Sequence, residues 1–111
     1  MNETLTKFKL ITRTKAGKDA RGQYTYTETA RTIYGRDLPI TREEYFKAGQ
    51  IGLEPERAFI ISAFDYHGEQ LAEVNGQKYR IYRNYPRDAN ETEIYLIYAS
   101  GANAAPITGG A

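Results

Sequence analysis

Few side chains in this sequence could do chemistry, and each has a simpler reading beside it. The single histidine, His67, sits in the turn Asp65-Tyr66-His67-Gly68, with Glu69 following. A histidine between two carboxylates could serve as a general base or ligate a metal. No second histidine and no cysteine exist to complete such a set. Acidic residues in turns also commonly bond the local backbone instead. Glu43 and Glu44 form a carboxylate pair, but adjacent helix positions point to different faces. Thr41 and Glu44 fit a capping box, in which each side chain satisfies the other's backbone N–H. The third candidate is Lys78 to Arg87, KYRIYRNYPR. Its aromatics could stack bases while its arginines meet phosphates. Tyr79, Arg80, Tyr82 and Arg83 would carry that single-strand binding. At strand period, Tyr79, Ile81, Arg83 and Tyr85 share one face, and Lys78, Arg80, Tyr82 and Asn84 the other. A basic strip over a packed apolar face is therefore the competing reading. There is no Walker loop, GxGxxG or GxSxG. Nothing specifies a reaction, so no catalytic residue, cofactor or metal is expected.

Charge and composition limit the classes further. The chain has 111 residues, with fifteen basic and fourteen acidic side chains, a net charge of +1. A dedicated nucleic-acid module normally carries a clear basic excess. The absence of cysteine excludes disulfides and thiolate chemistry. The longest apolar run, Ala58 to Phe64, is broken by Ser62 and falls far short of the roughly 20 residues of a membrane span. The start, MNETLTKFKL, has no secretory h-region, which gives the cytoplasm as the expected place of synthesis.

The elements that must position these residues read mainly as strands. Ten tyrosines and four phenylalanines, with many Thr and Ile, favour pleated, half-buried segments. Thr6 to Thr14 alternates as a strand, and Ala16 to Gln23 reads as a hairpin loop. In Tyr24 to Tyr34, the residues Tyr24, Tyr26, Ala30 and Tyr34 are expected to pack, leaving the threonines, Arg31 and Ile33 in water. Gly35 to Gly52 breaks the strand period with a helix of about two turns, which is marginal alone because nucleation is costly. Strands resume at Ala58 to Phe64, Gln70 to Val74, Gln77 to Tyr85 and Thr92 to Ala99. Asn75-Gly76 marks a tight hairpin, since both residues tolerate positive φ. The sum is a mainly β fold: a small antiparallel β-barrel or sandwich of about six strands with one short helical insertion. One domain is expected over 1–99, with a mobile helix-containing loop at 36–53 and a flexible, uncharged C-terminal tail at 100–111.

The order of these motifs resembles the head-closure, or stopper, proteins of tailed bacteriophages, which join head to tail. A basic strand, FKLITRT, is followed by a Gly-containing hairpin, KDARGQ, and an aromatic strand, YTYTETARTIYG. The segment LPITREEYFKAGQ brings Pro39, Ile40, Glu43, Glu44, Tyr45 and Ala48. The hairpin from Asn75 to Ile81 and the last strand, EIYLIY, complete the pattern over roughly residues 5–99. The uncharged tail and the Tyr66-His67-Gly68 turn depart from it. The resemblance implies a structural protein, not an enzyme. Such proteins form a ring beneath the portal and its adaptor, close the DNA exit channel after packaging, and offer the tail a docking surface. It implies as partners a portal-adaptor (head-completion) ring protein, a tail-completion protein, sister copies and packaged DNA, with no membrane. Its place would be the head–tail junction of the virion, reached from the host cytoplasm during assembly. The channel plug would be the loop with Pro39, Ile40, Glu43, Glu44, Tyr45, Ala48 and Gln50. A marginal helix flanked by Gly35, Gly49 and Gly52 suits an order-switching element. The alternative is a small β-barrel that binds single-stranded nucleic acid through Tyr79, Arg80, Tyr82 and Arg83.

Overall fold

The computed structural model describes residues 5–99, so the expected tail at 100–111 lies outside the described residues. In chain order the elements are β1 (Leu5–Lys18), β2 (Tyr24–Asp37), α1 (Arg42–Gln50), β3 (Arg57–Ser62), β4 (Leu71–Val74), β5 (Gln77–Pro86) and β6 (Glu91–Tyr98). The six strands close into an antiparallel barrel in the order β1-β2-β3-β6-β5-β4. The mainly β fold expected from the sequence is therefore a barrel, and closure hides the edges that an open sheet would present.

Alternation fills the barrel. Phe8, Leu10, Ile33, Phe59, Ile61, Val74, Tyr79, Ile81, Ile94 and Leu96 point inward and pack as one cluster. Phe8 and Phe59 stack with ring centroids 4.4 Å apart. Each such side chain contributes about 1.5–3 kcal/mol when removed from water. The Asn75-Gly76 turn joins β4 to β5, with both residues at positive φ as the pattern predicts. The loop from Ala63 to Gln70 lies against one end of this core, with Tyr66 packed on the cluster.

The β2 expectation is reversed. Phe8 pairs with Ile33 across the ladder, so Ile33 faces the core and is 4% exposed, while Tyr34 is 58% exposed. Tyr24 and Tyr26 are exposed as well. Pairing register, not residue size, sets which face goes in. Gly35 is also part of β2 rather than the start of an excursion. A Cβ there would come within 2.9 Å of the Phe8 ring and 3.0 Å of Ile61, so a side chain at this position would force its neighbours to shift.

The first hairpin is longer than expected. The β1–β2 ladder runs from Leu5↔Arg36 out to Lys18↔Tyr24. β4 meets β1 only at Lys9–Ile11, and β3 meets β2 only at Arg36 and Asp37. Beyond Thr12 and Thr29 the ribbon leaves the barrel as a two-stranded arm. The described molecule accordingly measures 55 × 31 × 27 Å.

Candidate functional site

The helical excursion is built from a cap, a seat and a stop. Thr41 caps α1, its Oγ1 accepting the Glu44 backbone N–H at 3.1 Å. Glu43 and Glu44 lie in the first turn, where the helix dipole favours negative charge. Leu53 donates its backbone N–H back to the Ala48 carbonyl at 2.9 Å, and Gly52 turns the chain at φ +79°. That is a left-handed stop of the kind glycine permits.

Glu44 does more than cap. The sequence reading gave its carboxylate to the Thr41 backbone, but the structure turns it toward the barrel. It accepts the Tyr82 hydroxyl at 2.7 Å and Arg83 Nε at 3.1 Å. Burial, then the adjoining Glu44 carboxylate, push the Tyr82 hydroxyl well above the ordinary phenol range. One turn on, Ala48 is fully buried. Glu44 and Ala48 thus form one stripe at i, i+4 spacing that seats α1 on the barrel.

A second polar set lies beside the first. Tyr95 donates its hydroxyl to Glu93 at 2.6 Å, and Arg87 Nη1 reaches the same carboxylate at 3.2 Å. Burial and Glu93 raise the Tyr95 hydroxyl in the same way. Between α1, β5 and β6, Glu44, Arg83, Glu93 and Tyr95 line a cleft of about 320 Å³. Each of the two carboxylates already holds a phenol and a guanidinium, an arrangement that fastens elements together.

A bulge explains how Arg83 reaches Glu44. The β5–β6 register shifts between Ile81 and Arg83, so that Ile81 pairs with Leu96 and Arg83 with Tyr95. One extra residue, Tyr82, moves Arg83 from the core-facing side, where strict alternation puts it, to the outer face. The residues nominated for nucleic acid are therefore divided. Tyr79 is inside the core cluster and 6% exposed. Arg80 lies outside, in register between Leu71 and Ile97, while Tyr82 and Arg83 serve Glu44.

The plug residues are divided in a different way. Glu44 and Ala48 face the barrel, Ile40 is half-buried, and Pro39, Glu43, Tyr45 and Gln50 are exposed. Phe46 in α1 and Ile51 at its C-cap are exposed as well; Tyr45, Phe46 and Ile51 are 49%, 67% and 66% exposed. Glu43 pairs with Lys47 at 3.6 Å on the surface, where such pairs contribute little. A signal for the Glu44 latch was present. An acidic residue in the same stripe as Ala48 needs a buried donor, and Tyr82-Arg83 supplies both kinds.

His67 is drawn into a local clasp. Its backbone N–H donates to Glu69 Oε1 at 2.8 Å, and its Nε2 lies 3.0 Å from the Phe64 carbonyl. Glu69 also takes Arg31 Nη2, which bonds the Asp65 carbonyl as well. Burial would raise the Glu69 carboxyl, but Arg31 and the backbone donors outweigh it and hold it below the ordinary range. Among the described residues no three His, Asp or Glu side chains are placed to hold a metal ion. No helix among them is long and apolar enough to cross a membrane.

Fold and site together define a small closed barrel that carries a latched helical excursion and a projecting ribbon. No protein-family model matches the chain, and no curated protein matches its sequence.

Proposed function

We propose that this chain is a structural subunit of a phage head–tail connector, one that closes the DNA exit channel after packaging and offers the surface on which the tail docks. The order of motifs set out above supports this reading. The observation that carries it is the exposure of Tyr45 and Phe46 on α1 and of Ile51 at its C-cap, on an excursion held to the barrel by Glu44. Apolar side chains presented this way are suited to meeting their counterparts on sister copies about a shared axis. Contacts that are weak in a pair become tight in a ring through effective concentration. Loop 36–53, with Pro39, Ile40, Glu43, Glu44, Tyr45, Ala48 and Gln50, is the proposed plug. The Glu44 latch is the element that would hold or release it. The proposed partners are a portal-adaptor ring protein, a tail-completion protein and the packaged DNA, all at the head–tail junction of the virion. No catalytic step is proposed.

The test is sedimentation with DNA-filled capsids that carry portal and adaptor. The chain is expected to travel with them and to stop DNA loss. Failure to associate with such capsids overturns the reading.

A further inference from the structure

We propose that the outward face of the β1–β2 arm binds the phosphate backbone of duplex DNA. The two faces of the arm differ sharply. Cross-strand pairing places Arg13 opposite Glu28, Lys15 opposite Tyr26 and Lys18 opposite Tyr24, all on one side. Lys18 reaches that side because the ladder shifts register between Lys15 and Gly17. Gly17 takes up the shift at φ +154°, a conformation that favours glycine. Without that bulge Lys18 would fall on the opposite face, which carries Thr12, Thr14, Thr25, Thr27 and Thr29. One face is therefore cationic and aromatic, the other neutral.

The charge on that face is held ready. Lys15 Nζ lies 3.9 Å and Lys18 Nζ 5.2 Å from the centroid of the Tyr24 ring, and the Arg13 guanidinium is 5.5 Å from that of Tyr26. A ring fixes an ammonium without neutralising it, which a carboxylate would do. Glu28 on the same face pairs with Arg13, and neither acidic side chain of the arm meets Lys15 or Lys18, so those two lysines are the cations this face offers. Asp19 accepts the backbone N–H groups of Arg21 and Gln23, and Glu28 is met by Arg13 and Lys78 at the base. Among the described residues no carboxylate pairs with Lys15, Lys18 or Arg21. Residues 12–29 hold four basic and two acidic side chains, so the arm is +2 and the rest of the chain −1. The near-neutral total conceals this separation.

The shape favours a duplex as the polyanion. A two-stranded ribbon matches the width that the major groove of B-DNA admits. At about 3.3 Å per residue the arm extends roughly 20 Å past the barrel, enough to lie along a groove and reach phosphates on both sides. Contacts of this kind carry no base code, so the binding is sequence-independent. It does not rest on the connector reading, because a duplex in solution needs no capsid.

The experiment measures fluorescence anisotropy of a short labelled duplex of random sequence against salt. The full chain is expected to bind in low salt, with affinity falling steeply between about 50 and 200 mM. Lys15→Glu with Lys18→Glu is expected to weaken binding at least tenfold. Lys7→Glu with Lys9→Glu, the same charge change on the barrel, is expected to stay within twofold of the parent. Tyr24→Leu should cost about two- to fivefold through the lost cation–π contact. Urea titration of each variant checks that the barrel is intact. No binding at low salt, or equal weakening by the arm and barrel pairs, overturns the proposal.

Discussion

Tyr82 donates its hydroxyl to Glu44 at 2.7 Å, and this bond ties β5 to α1. Glu44 also takes Arg83 and is itself 9% exposed. Glu44→Ala leaves both donors without their acceptor and is expected to lower stability by about 1–3 kcal/mol in urea denaturation. Tyr82→Phe keeps the Arg83 contact and should cost about 1 kcal/mol. Hydrogen exchange should separate the two parts of the molecule. In Glu44→Ala the α1 amides exchange faster, while those of β3 and β6 stay protected.

The clasp around Glu69 sets a pH dependence. Its folded carboxyl titrates below the ordinary value of 4.5, held down by Arg31 and by backbone donors despite burial. The unfolded chain therefore takes up the proton first as pH falls. The stability this group contributes is complete above about pH 4.5 and is lost as pH drops through the lower folded value. Glu69→Gln is expected to be less stable at pH 7 and to show a shallower acid limb. Urea midpoints between pH 7 and pH 3 measure both.

Gly35 is enclosed by Phe8, Phe59 and Ile61. Gly35→Ala forces a methyl into that space and is expected to cost about 1–3 kcal/mol by overpacking. Thermal and urea midpoints should fall together. Gly49→Ala, where a Cβ meets nothing within 4 Å, should be neutral or stabilising on the same assays.

Phe46 and Ile51 contribute little to the lone chain, being mostly exposed. Phe46→Ser with Ile51→Ser is expected to leave urea stability within about 0.5 kcal/mol per site. The same pair should abolish retention of DNA in capsids bearing portal and adaptor, scored as DNA released on heating.

Strand existence, the Asn75-Gly76 turn and the α1 cap were readable because each is written in local spacing. Two features were not, for the same reason. The tyrosines of β2 alternate as cleanly as a core face does, but β1 chooses the face, since Phe8 must meet Ile33. Bulges at Lys15/Gly17 and at Ile81/Arg83 each change a strand's parity midway. A fixed period of two then assigns Lys18 and Arg83 to the wrong side. The site was half visible: Glu44 and Ala48 stood out, but their partners lie 38 and 39 residues on from Glu44, at Tyr82 and Arg83.

β2 and β3 share only the pairs Arg36↔Ile60 and Asp37↔Phe59, and α1 is spliced into the chain between them. Side chains reinforce that line, with Arg36 gripping Glu91 and Asp37 taking Arg57. Mechanical load applied to the helix thus enters the cylinder along its thinnest stitching. Under load on the helix that short seam is expected to open before the long β1–β2 and β3–β6 ladders, which single-molecule pulling from α1 would register as an early, low-force step.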